Sequence, residues 1–293
     1  MSVIMYENEI MKDINISIAV EQNGKGQDHP FFGETASGKR YFGIWDGHGT
    51  DSVIRELRKY DVTGKLAEFM DESSPANAIS NELFRTKICR PLESSGATMN
   101  YGILNGNVFT CVNCGDSKMF VFRNGELIFE SEDHYWGNLK EKERLGDNIK
   151  FHPTMNIKAV SENKIIAVPS EYMIQKNGNR LAVTQAVGHC NISEPAPDVY
   201  VINIEPTDEI VAVSVSDGVT DMLIYDENNN IREQDIRMIY ELSAESLKST
   251  IQARWLKPWT MTSLEGDEIP NCKFKKTECD DVGVARMIIK PKI

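Results

Sequence analysis

The sequence predicts an α+β fold of four layers, α-β-β-α, in which two antiparallel sheets face each other and helix pairs cover their outer sides. Three observations lead there. Apolar or alternating runs of strand length recur along the chain. Asn105-Gly106 and Asn124-Gly125 stand between consecutive runs, and Asn-Gly is the strongest short-range hairpin signal. Helix-period segments come in pairs that interrupt the hairpins, an order that places helices outside packed sheets.

Taken in order, residues 14–22 alternate and read as a strand, followed by the glycine-rich turn Asn23-Gly-Lys-Gly-Gln-Asp28. Tyr41–Trp45 is an apolar run that reads as a buried strand and delivers Asp46 into Gly47-His48-Gly49. Thr50 or Asp51 can cap a helix whose apolar face is Val53, Ile54, Leu57 and Tyr60. Leu66, Phe69 and Met70 extend that surface past Gly64, and Pro75–Arg90 is a second helix stopped before Pro91. Met99–Leu104, Val108–Asn113, Met119–Arg123 and Leu127–Phe129 form an antiparallel meander. Asn138–Leu145 is a charged helix whose acids read as a solvated face, and Phe151–Asn179 reads as irregular and polar. Leu181–Val187 is apolar, and Val199–Ile204 and Ile210–Val215 are strands. The latter runs into Ser216-Asp217-Gly218, a second strand-to-Asp-Gly junction. Helices over Arg232–Leu242 and Ala244–Trp255, a polar loop over Glu265–Thr277, Asp280-Asp281 and a strand over Val282–Ile289 complete the chain.

The 293 residues are 41% hydrophobic and 26% charged, enough for a core and too apolar for disorder. No repeat, low-complexity tract or linker divides them, so one domain over 1–293 is expected. The net charge of −12 argues against nucleic acid or an anionic membrane as partner. Six cysteines, Cys89, Cys111, Cys114, Cys190, Cys272 and Cys279, are too sparse for a disulfide scaffold. Cys111 and Cys114 lie three apart on a strand and point to opposite faces, so buried thiols are favoured over a shared zinc. No run reaches membrane-spanning length, and Met1-Ser-Val-Ile-Met-Tyr-Glu7 lacks the basic-then-apolar pattern of a signal segment. An intracellular, reducing compartment such as the cytoplasm is expected.

Asp28, Asp46, Asp217 and Asp280 each sit at a strand or turn boundary beside glycine or an apolar strand. Any one alone is more often a turn residue than a site, since Asp-Gly is common in turns. Four in one domain suit hard divalent cations, which take oxygen ligands. Two such ions about 3.5–4 Å apart can bind a phosphoryl group between them.

At this point the chain resembles the metal-dependent serine/threonine protein phosphatases of type 2C. From Gly24 to Ile289 the motifs arrive in family order. They are Gly24-x-x-Gln-Asp28, Phe42-Gly-Ile-Trp-Asp-Gly-His-Gly49, Ser95-Gly-Ala-Thr98, Val112-Asn-Cys-Gly-Asp-Ser-Lys118, Asp133-His134 with Glu143-Arg144, Leu181-Ala-Val-Thr-Gln-Ala-Val-Gly188, Ser216-Asp-Gly218 and Asp280-Asp-Val-Gly-Val284. Each is short, and eight in order are specific.

The resemblance implies a phosphatase of phosphoserine and phosphothreonine proteins that uses two Mn²⁺ or Mg²⁺ ions and direct attack by a metal-bridging water, without a phosphoenzyme. Asp46 would bridge the two metals with the Gly47 carbonyl on one of them. Asp217 and Asp280 would complete the pair, and Asp28 would hold water from the second shell. Asp116 matches an acid of a third, weaker metal site shared with Asp217. His48 matches the candidate general acid for the departing oxygen, the plain alternative being a histidine bonded to backbone in a glycine-rich turn. A variable flap that governs substrate choice would lie within 135–180, and a monomer is expected.

Departures fall around the substrate. The family's phosphate-binding arginine is replaced by Asn23, for which Lys25 could substitute as a point charge but not bidentately. The usual acid before Asp28 is Gln27. The usual Arg-Ala-Leu-Gly-Asp reads Gln185-Ala-Val-Gly-His189, with His189 expected as a bystander, and the usual Asn after Asp280 is Asp281. These changes leave two functional readings, an active phosphatase weakened by the absent arginine, and a pseudophosphatase serving as a binding or scaffold module.

Overall fold

A computed structural model describes residues 12–86, 95–146, 150–174, 180–191 and 195–291. In chain order the strands and helices are β1 (Lys12–Glu21), β2 (Asp28–Glu34), β3 (Arg40–Gly49), α1 (Ser52–Val62), α2 (Lys65–Asp71), α3 (Pro75–Arg85), β4 (Ser95–Asn105), β5 (Val108–Cys114), β6 (Lys118–Arg123) and β7 (Glu126–Glu130). Then follow α4 (Leu139–Leu145), β8 (Lys150–Ser161), β9 (Lys164–Ile174), β10 (Arg180–Leu181), β11 (Val187–Gly188), β12 (Asp198–Asn203) and β13 (Ile210–Val215). The chain ends with α5 (Asp217–Thr220), α6 (Glu233–Glu241), α7 (Ala244–Leu256), β14 (Trp259–Thr262), β15 (Glu268–Cys272) and β16 (Val282–Pro291).

Two antiparallel sheets form the centre. One has the order β1-β16-β13-β6-β7 and the other β12-β5-β4-β3-β2, with β11 added beside β4. Phe42, Phe109, Met119, Val121, Ala212, Met287 and Ile289 fill the space between them. Outside the second sheet, Val53, Ile54 and Leu57 of α1 and Ile79 and Leu83 of α3 pack on Phe31, Trp45, Met99 and Tyr101. Outside the first, Leu247, Ile251 and Trp255 of α7 pack on Val211, Val213 and Val215. Strand β13 is buried along its whole length because alternate side chains serve both layers. The expected four-layer sandwich is therefore present. Each fully buried Ile, Leu or Phe contributes about 1.5–3 kcal/mol, and these clusters hold the strands that carry the acids.

Local detail differs from the sequence expectations in four places. The β6–β7 turn is Asn124-Gly125, with both residues at positive φ (53° and 89°). The β4–β5 loop instead falls on Gly106-Asn107, because Asn105 pairs with Val108, and Gly106 alone has positive φ (56°). That is the glycine-first pattern of the other hairpin turn type. Neither Thr50 nor Asp51 caps α1 with its side chain; Ser95 of β4 does, its Oγ accepting from Val53 N at 2.9 Å and donating to Thr50 O at 2.7 Å. The expected second helix is described only to Arg85, and residues 87–94, with Cys89 and Pro91, lie outside the described residues. Residues 150–174, read as irregular, form the long hairpin β8–β9, which pairs through β9 with β10 and β14 in a third sheet that also takes in β15 from the expected polar loop. Pro153 and Pro169 obscured this hairpin, while the buried Ala159, Ile165 and Ala167 give it a period of two.

Cys111 and Cys114 are buried free thiols, and burial raises both above the ordinary thiol pKa, Cys114 to about 12. Cys190 is disulfide-bonded. Among the described residues no helix is long and apolar enough to cross a membrane.

One buried ion pair ties the helical layer to the turn after α5. Arg254 of α7 donates to both Asp235 oxygens at 2.7 and 2.8 Å and to Met222 O at 3.0 Å, and Asp235 also accepts from Ile224 N at 2.6 Å. Asp235 is 1% exposed, so removing it leaves the buried guanidinium with only the more distant carboxylate of Glu162, 3.6 Å away. Asp235→Ala is expected to cost about 3–5 kcal/mol in urea unfolding followed by circular dichroism. A cost below about 1 kcal/mol, the scale of a surface pair, would show that the pair holds nothing in place.

Candidate metal centre

The acids meet because the two sheets end together. Within the second sheet Asp28 and Asp46 are directly opposite each other in register. From the first sheet, β13 ends at Val215 and β16 begins at Val282, with Val215 opposite Val284. Asp217 and Asp280 are therefore delivered side by side. Ser216 stitches this end, with Ser216 N donating to Gly283 O at 3.2 Å and Gly283 N to Ser216 Oγ at 2.9 Å. Glycine at 283 lets β16 come close to this end of the second sheet: a Cβ there would lie 2.8 Å from Asp28 Oδ2 and 2.1 Å from Ile44 Cδ1, so both side chains would have to shift.

Asp28 is 2% exposed, whereas Asp46, Asp116, Asp217, Asp221 and Asp280 are half-buried. Burial, and then repulsion from neighbouring carboxylates, raises the pKa of Asp28, Asp46, Asp116 and Asp221 well above the ordinary value. Burial and then Asp280 push Asp217 up to about 6. A side-chain hydrogen bond between Asp46 and Asp217 favours the protonated form of Asp46 and the ionised form of Asp217. The Ser216 hydroxyl bonds the Asp28 carboxyl, yet Asp28 Oδ2 is buried without a partner among the described residues. Like charges in this arrangement call for protons or cations.

The donor set is oxygen only and fits hard cations. Among the described residues no three His, Cys, Asp or Glu side chains converge as a ready cage for one ion. Mg²⁺ and its like take one or two carboxylates and keep several waters, so such a cage is not required.

Lys25 is placed at this cluster, its Nζ 3.1 and 3.2 Å from the two Asp280 oxygens. Burial opposes its charge, but attraction to Asp280, then Asp217 and Asp46, outweighs burial and raises its pKa above the ordinary lysine value. Asn23 points elsewhere. Its Nδ2 donates to Asp280 O at 2.6 Å and to Gln252 Oε1 at 2.9 Å, so its amide is engaged with α7 and the approach to β16. Asp281, 1% exposed, accepts from Asn23 N and Gln27 N, both at 2.6 Å. A carboxylate there clamps two backbone amides of the glycine-rich turn.

Asp116 follows a turn held by His134, whose Nδ1 accepts from Gly115 N at 3.0 Å and whose N donates to Gly115 O at 2.9 Å. Sequence reasoning missed Asp221, which joins the cluster one helical turn beyond Asp217. The i, i+4 spacing of two acids after the Asp-Gly junction was the available signal. Gly47 lies between Asp46 and His48 with its N–H donated to Gln27 O at 3.2 Å.

One expectation is corrected. Glu141 is not on a solvated face: it is 4% exposed and accepts from Arg144 (2.7 Å), Thr184 Oγ1 (2.6 Å) and Gln185 Nε2 (2.8 Å). Burial works against its charge, and these donors outweigh it and lower its pKa. His189, expected to take no part in the site, lies against His48: its Nε2 is 2.7 Å from His48 Nε2, with the rings stacked at 4.8 Å. Burial lowers the pKa of both, His48 to about 4 and His189 to about 2, so both are neutral at pH 7.

A cleft of about 490 Å³ opens on Asp116, Asp217, Asp221 and Asp280, with Trp136, Tyr172 and Arg180 across it. The β8–β9 hairpin contributes Thr154, Met155, Asn156, Ser170 and Glu171 to its wall. A second cavity of about 460 Å³ adjoins it through Thr220 and Asp221 and holds Lys118 and Lys158.

This architecture has known counterparts. A serine/threonine phosphatase of S. agalactiae superposes with a TM-score of 0.56 at 17% identity over 94% of this chain and 99% of that one. The catalytic domain of the serine/threonine protein phosphatase PstP gives a TM-score of 0.51 at 16% identity, covering 96% of this chain and all of the other (100%). In sequence, the chain is 26% identical to human protein phosphatase 1B over 220 residues, 64% of this chain and 42% of the relative. It is 25% identical to rice probable protein phosphatase 2C 21 over 249 residues, 72% of this chain and 68% of the relative. The chain spans only 51% of the mouse protein phosphatase 1B it also matches, at 24% identity over 220 residues and 64% of this chain. The family model for protein phosphatase 2C matches residues 17–254, most of the chain. With the sandwich and the acids at its sheet ends, that match places the chain in the protein phosphatase 2C family.

Proposed function

We propose that the chain is a Mn²⁺- or Mg²⁺-dependent serine/threonine protein phosphatase that hydrolyses phosphomonoesters directly, without a phosphoenzyme. The observation behind this reading is the meeting of Asp28, Asp46, Asp116, Asp217, Asp221 and Asp280 at one end of both sheets with too few cations to neutralise them. The PstP catalytic domain was solved with two manganese ions, which supports the same cofactor here. Asp46, Asp217, Asp280 and the Gly47 carbonyl would hold a pair of ions, with Asp28 orienting water beside them. Asp116, Asp217 and Asp221 would hold a third. Bound there, such ions supply an anchor for phosphoryl oxygens and a nucleophilic water at neutral pH.

The chain's own residues do the remaining work. His48 would serve as general acid to the departing serine or threonine oxygen only once it has itself taken up a proton. Lys25 holds Asp280 while the site is ion-free and becomes available to a phosphate oxygen when a cation takes that carboxylate. The hairpin β8–β9, within the expected flap 135–180, lines the approach of the phosphoprotein. Lys25 on Asp280 and the engaged amide of Asn23 favour the second reading, a pseudophosphatase that binds partners with little turnover. Calorimetric titration with Mn²⁺ separates the two. The phosphatase reading requires saturable binding together with hydrolysis, and the pseudophosphatase reading predicts weak binding or binding without hydrolysis.

Asp46→Asn and Asp217→Asn are each expected to reduce Mn²⁺-dependent hydrolysis of p-nitrophenyl phosphate to background. The same variants should stabilise the ion-free fold, because each removes a repelling charge; Tm should rise about 2–4 °C per kcal/mol relieved. Retained hydrolysis in either variant would sink the assignment.

The raised carboxylates set a pH dependence. Asp217, at about 6 when folded, keeps a proton that the unfolded chain releases near the ordinary value of 3.8. Its stabilising contribution is complete below that unfolded value and is lost as pH rises through 6. Cations bind the deprotonated form and restore what is lost. The Mn²⁺-induced gain in Tm is therefore expected to be larger at pH 7.5 than at pH 5.5. A gain independent of pH would show that these carboxylates do not take the ion.

A further inference from the structure

Across the cleft from the acids, the third sheet carries a row of stacked side chains. His152 of β8 is opposite Tyr172 of β9 in register, and Arg180 of β10 is opposite Ile174, two residues beyond Tyr172. Residues paired across strands, and residues two apart on one strand, project from the same face of a sheet. His152, Tyr172 and Arg180 therefore share a face. The rings of His152 and Tyr172 stack with centroids 5.3 Å apart and planes 4° from parallel. The Arg180 guanidinium carbon lies 5.1 Å from the Tyr172 centroid, and Arg180 Nη1 donates to Tyr172 Oη at 2.8 Å. A planar cation laid against an aromatic ring, with one donor tied to the hydroxyl of that ring, has a set direction. On the same face Ser170 Oγ accepts from Trp136 Nε1 at 3.1 Å, which joins the row to the Trp136 wall.

Arg180 is exposed, and no carboxylate forms an ion pair with it among the described residues. Glu171, the acid beside Tyr172, projects from the opposite face of β9 because strand side chains alternate. Among the described residues Arg180 is the one arginine or lysine in the wall of the 490 Å³ cleft, whose other charged groups are carboxylates. A guanidinium has five N–H donors in a fork that matches a carboxylate bidentately. Tyr172 takes one of them, and the others remain for a ligand in the cleft.

We propose that Arg180, held by the Tyr172–His152 stack, binds an acidic side chain flanking the phosphoserine or phosphothreonine, so that this chain selects acidic phosphopeptides. The proposal rests on the phosphatase reading. The acids at the sheet ends, through their ions, take the phosphoryl group, with Lys25 beside them. Arg180 is out of ion-pair reach of those acids, so the anion it binds is a second one on the same substrate. A chain of net charge −12 with an acidic cleft disfavours an aspartate near the phosphate in general. One cation on the far wall reverses that at one position only, which is how a single charge gives selectivity.

The test compares phosphoserine peptides in which one aspartate is moved through successive positions on either side of the phosphoserine in an alanine background. A matching set carries lysine in place of aspartate. With Mn²⁺ and the wild type, aspartate at one position is expected to raise kcat/KM over the all-alanine peptide by about three- to tenfold, between an exposed ion pair and a charge-assisted hydrogen bond. Arg180→Gln should bring that ratio close to unity. Arg180→Glu should transfer the preference to lysine at the same position, a change that loss of structure alone would not produce. Because the peptides are compared on one sample, an inactive fraction cancels from the ratio. A wild type that favours aspartate at no position, or an aspartate preference that both variants keep, would overturn the proposal. Equal losses on every peptide in Arg180→Gln would assign the guanidinium to the phosphoryl group itself and overturn it as well. Absence of hydrolysis of every peptide by the wild type would instead remove the phosphatase reading, and the proposal with it.

Discussion

The mutual repulsion of carboxylates at the ends of two facing sheets is the constraint around which the molecule is arranged. Asp28 and Asp46 are opposite each other in one sheet, and Asp217 and Asp280 leave neighbouring strands of the other. Nothing local favours their meeting; burial and like charge both oppose ionisation. They are held by strands whose side chains are committed to three apolar clusters, so separating the acids would require unpacking the sandwich. The apolar layers and the acidic end are thus two sides of one arrangement. The core supplies the stability that the acidic cluster gives up, and the cluster in turn is held in place by the packed strands.

The departures from the family pattern form a connected set. Asp281 closes on the backbone of Asn23 and Gln27, Asn23 bridges to Gln252 of α7, and Lys25 from the same turn reaches Asp280. An arginine at position 23 would lose the Gln252 contact. On the other side, Gln185 bonds the buried Glu141, and His189 meets His48. Charge at the rim has been exchanged for internal hydrogen bonds, and the acids that face the cleft are kept.

Much of this was legible in the sequence. The strand-to-Asp-Gly junctions at Asp46 and Asp217 announce acids at strand ends, because an apolar run fixes where the strand is and glycine fixes where it stops. The Asn-Gly dipeptides located both hairpins, one of them shifted by a residue. What was not legible depends on partners far along the chain. Glu141 reads as a surface helix acid until Thr184 and Gln185 close over it. Asp221 lies in no strand-end pattern. The hairpin β8–β9 carries two prolines that weigh against a strand, and only its pairing partners outweigh them. His189 reads as a lost acid, since no local rule shows that Gly96 opens a space for its ring beside His48.

Strand β16 has a consequence for how the chain reaches this state. It lies between β1 and β13, strands separated from each other by nearly two hundred positions, and the residues just before it supply both Asp280 and the Asp281 clamp on the glycine-rich turn. Until β16 docks, β1 has no place in its sheet and the turn bearing Asp28 has no anchor. During synthesis the meander and its helices can form early, but the acidic cluster is complete only once β16 has docked, a long-range event. Such non-local closure is slow and leaves strand edges exposed meanwhile. A nascent chain therefore carries the acids apart from one another, and their mutual repulsion arises only as the fold is completed.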